Sequence, residues 1–201
     1  MQPALGPGDM LMLKDEDQSS SMASIRRILA AASFAAKKHV QQKRKGAMGE
    51  PYFNHLLEVA ELVAASNDQL DVELMMAAFL HDTVEDTSVT LLELEENFGT
   101  DVAGLVAEVT DDKSLSKEER KSLQIRDAHK KTKRAQTLKL ADKISNLRSI
   151  LASAPVGWSM ERKREYFEWA KQVVSQLNAP NPILKAEFDK TYALISSVVK
   201  A

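Results

Sequence analysis

Leu74-Met75-Met76-Ala77-Ala78-Phe79-Leu80-His81-Asp82-Thr83-Val84-Glu85-Asp86-Thr87 is the stretch on which the reading of this chain turns. Its first seven residues are apolar without the alternation of a half-buried strand. A helix that is apolar nearly all round belongs in the centre of a bundle. The run then ends abruptly in an imidazole, three acids and two hydroxyls. Buried ionisable groups are unfavourable unless they are paired or hold a metal. The stretch therefore reads as a central helix whose end carries chemistry.

Outward from it, the chain reads as helical throughout. Gly and Pro are scarce after residue 51, and the apolar residues recur at helical spacing. The pattern predicts helices over Ser24 to Val40, Asn54 to Ala65, Asp71 to Val84, Thr90 to Asn97, Asp101 to Val109, Ser116 to Lys131, Leu138 to Leu151, Ser159 to Leu177 and Ile183 to Val199. Asn54 and Asp71 are suited to capping, and Ser116-Lys117-Glu118-Glu119 has the form of a capping box. The expected fold is an all-α bundle of about eight to ten helices. Residues 1–21, with Pro3, Gly6, Pro7 and Gly8, read as a mobile tail, and 22–201 as one domain.

Composition narrows the function. With 201 residues the chain is long enough for one sizeable core. It has no cysteine, which excludes a thiol nucleophile, a thiolate zinc site and disulfides, and fits a cytoplasmic location. A net charge of −2 is unlike that of a general nucleic-acid binder. No apolar run approaches the roughly 20 residues that span a bilayer, so no membrane role is expected. Gly-x-Ser-x-Gly and P-loop motifs are absent.

The remaining chemistry converges on a divalent cation. His81 and Asp82 are joined by His55, in Pro51-Tyr52-Phe53-Asn54-His55, and by Asp142, in Lys139-Leu140-Ala141-Asp142-Lys143. Neighbouring helical positions diverge by about 100°, so His81 and Asp82 reach one ion only near a helix end or irregularity. Two imidazoles and two carboxylates suit Mn²⁺, with Zn²⁺ or Fe²⁺ as alternatives, better than Ca²⁺. Glu85 and Asp86 follow His81 and Asp82 at helical spacing and are placed to deprotonate a water. Asn146 stands four residues after Asp142, and Lys43-Arg44-Lys45 offers cations for an anionic substrate. His39 and His129, beside lysines, read as solvated, and Tyr166 and Trp169 as core. The run Lys130 to Arg134 reads as an exposed turn.

These runs, with Glu165-Tyr166-Phe167-Glu168-Trp169-Ala170, resemble the HD-superfamily hydrolase domain of the RelA/SpoT proteins. The likeness is closest to the stand-alone small alarmone hydrolases of metazoan type, over about Ser24 to Val199. It implies Mn²⁺ held by His55, His81, Asp82 and Asp142, and Glu85 and Asp86 as catalytic acids. It also implies contacts of Arg44 with guanine, Lys45 beside it, Asn146 with ribose and Lys117 with phosphate. The implied reaction removes the 3′-diphosphate of ppGpp or pppGpp, giving GDP or GTP and pyrophosphate. Another HD phosphohydrolase activity, such as one on NADPH, and a non-catalytic alarmone-binding module are the competing readings. Oligomeric state, including a homo-oligomer, stays open.

Overall fold

The computed structural model describes residues 7–195, with side chains from residue 20. Ten α-helices run through these residues: α1 Pro7–Lys38, α2 Phe53–Ala65, α3 Val72–Leu80, α4 Thr83–Asp86, α5 Leu91–Phe98, α6 Thr100–Val109, α7 Lys117–Arg126, α8 Lys133–Ser153, α9 Met160–Ser175 and α10 Pro182–Ala193. A 3₁₀ turn, Ala128–Lys130, lies between α7 and α8. Among the described residues there is no strand, only isolated bridges Lys43–Pro51 and Gly46–Pro155. The all-α expectation holds.

Helix α3 is the hub. It packs on α1, α2, α6 and α8, and Leu74, Met76, Ala77, Ala78, Phe79 and Leu80 are all buried. Each fully buried leucine contributes about 1.5–3 kcal/mol. Helix α8 lies against α2, α3, α6, α9 and α10. It is buried continuously from Ala135 to Ser145, and that run includes Lys139, Asp142 and Lys143. A helix that buries charged residues beside Leu140 and Ile144 brings polar chemistry into the core.

Several boundaries differ from the sequence reading. The first helix begins at Pro7, not Ser24. Pro is favoured in a first helical turn, and residues 9–38 contain neither Pro nor Gly. The helix expected to run to Val84 breaks after Leu80 and resumes as α4. Thr83 Oγ1 donates to Leu80 O at 2.6 Å, taking a carbonyl that the helix would otherwise use. Helix α7 stops at Arg126, and α8 starts at Lys133, where Thr132 Oγ1 accepts from Ala135 N. The expected turn at Lys130 to Arg134 is thus partly the first turn of α8, and Arg134 pairs with Asp71 and Asp101 at 2.7 and 2.9 Å. The last helix ends at Ala193, and the expected continuation to Val199 passes beyond the described residues.

Candidate metal centre

Three segments bring four donors together. His55 comes from the first turn of α2, His81 and Asp82 from the α3–α4 break, and Asp142 from the middle of α8. Donor atoms of His55, His81 and Asp82 all lie within 4.8 Å of one another. Asp142 Oδ1 joins through both imidazoles, 3.4 Å from His55 Nε2 and 3.9 Å from His81 Nε2. Asp82 Oδ2 stands 3.6 and 3.1 Å from the same two nitrogens. Asp82 has φ −101° and ψ −2°, the bridge region between helical and extended backbone. That irregularity is what turns two sequence neighbours toward one point.

Hydrogen bonds on the far side of each ring set its tautomer. His81 Nδ1 lies 2.9 Å from Ala78 O, a carbonyl that can only accept, so Nδ1 carries the proton. His55 Nδ1 lies 2.8 Å from Ser145 Oγ. Ser145 donates its own proton to Glu58 Oε2 at 2.6 Å and so accepts from His55. Both Nε2 atoms are buried with no hydrogen-bond partner. Asp82 Oδ2 is 3.1 Å from His81 Nε2 but off the line of a hydrogen bond. With Nδ1 of each ring bonded away from the site, a divalent cation that displaces any proton on Nε2 would meet two buried nitrogens and two carboxylates.

The carboxylates are themselves held. Tyr52 OH donates to Asp82 Oδ2 at 2.5 Å, Asn146 Nδ2 to Asp142 Oδ1 at 2.5 Å, and Lys143 Nζ pairs with Asp142 Oδ2 at 3.2 Å. Burial alone would favour protonated acids, but His81 and His55 hold Asp82 well below the usual carboxylate range. Lys143 and the histidines do the same for Asp142. Burial opposes charge on His81 too, yet Asp82 and Asp142 raise it to about 9. Tyr52 is raised by burial and by Asp82, so its phenol keeps its proton.

Glu85 and Asp86 lie beside this cluster but not in it. Glu85 Oε2 accepts from Asp111 N at 3.3 Å, and burial, Asp82 and Asp111 push its carboxyl upward. Asp86 is gripped on both oxygens, by Gln42 Nε2 at 2.8 Å and Lys113 Nζ at 2.7 Å. Both acids line a cavity of about 300 Å³ together with His81, Asp82 and Asp142.

A larger cavity of about 780 Å³ adjoins the first and shares Lys45, Tyr52, Asp86, Asn146 and Tyr166 with it. Arg44, Lys45 and Lys117 all line it, as do Lys121 and Arg162. Arg44 donates to Asn146 Oδ1 at 3.1 Å and lies 5.7 Å from the Tyr52 ring centroid. Lys117, at the start of α7, lines only the larger cavity and stands apart from the donors. The loop carrying Arg44 and Lys45 is pinned at Gly46, where any Cβ would overlap Ser153 O.

The HD domain family matches residues 31–168 of the chain. The chain belongs to the HD-domain family. Within it, the chain is 48% identical over 165 residues to guanosine-3′,5′-bis(diphosphate) 3′-pyrophosphohydrolase MESH1 of Xenopus tropicalis, spanning 82% of this chain and 92% of that protein. It is 51% identical over 154 residues to the Homo sapiens protein of that name, spanning 77% and 86%. A solved structure described as a metazoan ortholog of SpoT that hydrolyzes ppGpp superposes with a TM-score of 0.80 at 45% identity, covering 83% of this chain and 94% of that one.

Several residues that shape this HD-domain site had no role in the reading of the sequence. Tyr52, Ser145 and Glu58 brace the donors, while Gln42 and Lys113 fix Asp86. His39, expected in solvent, is 2% exposed, stacks on Tyr52 at 5.1 Å and bonds Gln42 at 2.6 Å. The signal was its spacing from the buried Ala31 and Ala35, which outweighs the flanking lysines. Tyr166 and Trp169, expected as core, are half-buried walls of the cavities, and Lys143 Nζ lies 4.5 Å from a Trp169 ring centroid.

Proposed function

We propose that this protein hydrolyses guanosine 3′,5′-bis(diphosphate), ppGpp, at its 3′-diphosphate, giving GDP and pyrophosphate, and GTP from pppGpp. The observation that carries this reading is the pair of buried, unpartnered imidazole nitrogens facing Asp82 and Asp142 at the edge of an acid-lined cavity. The cationic second cavity is of a kind to take the rest of an anionic nucleotide, and the likeness to named ppGpp hydrolases supplies the substrate. No helix among the described residues is long and apolar enough to cross a membrane.

In this reading His55, His81, Asp82 and Asp142 hold Mn²⁺, which the mixed nitrogen and oxygen donor set favours. When bound, such a cation supplies Lewis acidity to a phosphoryl oxygen and makes a nearby water more acidic. Glu85, whose carboxyl is shifted upward, takes the proton from the attacking water. Asp86, held by Gln42 and Lys113, orients that water. Water adds to the phosphorus next to the ribose 3′ oxygen, and the P–O bond to that oxygen breaks. The departing 3′ oxygen takes a proton and leaves as the 3′-hydroxyl of GDP, and pyrophosphate keeps the oxygen of the water. Arg44 stacks on the base, Asn146 bonds the ribose, and Lys45 and Lys117 meet phosphates.

The test is turnover by the manganese-loaded protein, with ppGpp, pppGpp and NADPH offered separately. Stoichiometric GDP and pyrophosphate from ppGpp are expected. Release of inorganic phosphate from NADPH with ppGpp untouched would overturn the assignment. Binding of ppGpp without turnover would make the protein a sensor.

A further inference from the structure

Lys139 is a buried cation that forms no ion pair among the described residues, although Asp142 and Asp111 lie near enough to favour its charge. It lies one turn before Lys143 on α8 and is 6% exposed. Its ammonium donates to Val109 O at 3.3 Å and, among the described residues, forms no ion pair. An ammonium has three donors, so one long bond to a carbonyl leaves the group undersatisfied. Burial, and then the nearby Lys143, pull its pKa down to about 8, which still leaves it mostly charged at neutral pH.

Its position gives the charge a use. Lys139 lines the 300 Å³ cavity together with His81, Asp82, Glu85, Asp86 and Asp142. Two other lysines line that cavity. Lys143 is committed to Asp142 at 3.2 Å and to the Trp169 face. Lys45 is exposed and shared with the larger cavity. A diphosphate entering a cavity walled by carboxylates needs cations in the wall, and Lys139 is the buried lysine there that no ion pair engages.

We propose that Lys139 binds the diphosphate group that is cut from the nucleoside. This rests on the hydrolase reading above and adds a substrate-contacting residue to it. The competing role is a purely structural one, in which the ammonium caps the last carbonyl of α6.

The test compares wild type, Lys139→Met and Lys139→Arg, each loaded with Mn²⁺ at a fixed free concentration. Calorimetry reads the affinity for inorganic pyrophosphate and, separately, for GDP. Lys139→Met should weaken pyrophosphate binding by at least about tenfold, the loss of a charge-assisted bond, and leave GDP within about twofold. Lys139→Arg should recover much of that loss. Unchanged pyrophosphate affinity in Lys139→Met overturns the proposal. So does an equal loss for both ligands with a lowered melting temperature, which is the signature of the capping role. A crystal structure of the wild type with pyrophosphate decides independently of whether the variants fold, because Lys139 Nζ must then lie within hydrogen-bond distance of a phosphate oxygen. Wild type that fails to turn over ppGpp sinks the hydrolase reading, while the pyrophosphate comparison still judges Lys139.

Discussion

His55 gives the proton on its Nδ1 to Ser145 Oγ at 2.8 Å, and Ser145 passes its own to Glu58 at 2.6 Å. Glu58 is in turn paired with Arg148 at 3.0 Å, and Arg148 with Glu187 at 2.7 Å. One ring orientation is thus propagated from a partly exposed ion-pair chain into the buried site. Ser145→Ala should therefore weaken Mn²⁺ binding about 10–100-fold, the usual effect of removing such a partner. Chelator competition measures it, and unchanged affinity would show that His55 needs no orienting bond.

If His81 is a ligand as proposed, cation binding should depend on pH. Its pKa of about 9 in the folded, cation-free protein lies above the ordinary 6.5. The stabilisation from its charged form is therefore complete below about 6.5 and is lost as pH rises through about 9. A cation must displace that proton, so affinity should fall roughly tenfold per pH unit below about 9. Calorimetry in two buffers of different ionisation enthalpy should find at least about one proton released per ion at pH 7. No proton release would contradict the ligand role of His81.

Glu85→Gln keeps the size of the side chain and removes the proton acceptor. Turnover of ppGpp should fall about 10²–10⁴-fold with manganese content intact, read by pyrophosphate release and elemental analysis. Full activity in this variant would move the proton-accepting role elsewhere.

Gly46→Ala tests the loop that carries Arg44 and Lys45. The added methyl meets Ser153 O and its side chain, so the loop must shift. Overpacking of this kind costs about 1–3 kcal/mol. The expected outcome is a higher KM and a lowered melting temperature, with metal content unchanged.

Leu80→Ala tests the hub. Leu80 is fully buried at the end of α3, directly before the donor pair. The loss should be about 2–5 kcal/mol in urea unfolding. A loss below 1 kcal/mol would mean that the α3–α8 core repacks readily.

Much of this was legible from residue order, because the relevant signals are local. The apolar run before His81 announced a central helix, and the Asp71 and Ser116 caps hold as expected, with Asp71 Oδ1 accepting from Leu74 N at 2.9 Å and Ser116 forming both halves of a capping box. The convergence of His55, His81, Asp82 and Asp142 followed from matching several short motifs at once. What was not legible depends on contacts across the fold. The break after Leu80 rests on a threonine hydroxyl competing with the backbone, and helical propensity alone does not reveal it. Ser145 and Glu58 are ordinary helix residues until α2 and α8 pack, 87 residues apart in sequence. The lysines beside His39 masked its core-facing spacing, since local charge says little about which face of a helix turns inward.

The proposed donors of the candidate metal centre belong to α2, the α3–α4 junction and α8, stretches far apart along the chain. An ion gripped by all three acts as a staple, closing long loops that the unfolded chain would otherwise leave open. A thousandfold excess of free ion over its dissociation constant would add about 4 kcal/mol of resistance to unfolding. The cell's supply of that ion would then govern how long the protein survives proteolysis as well as how fast it works.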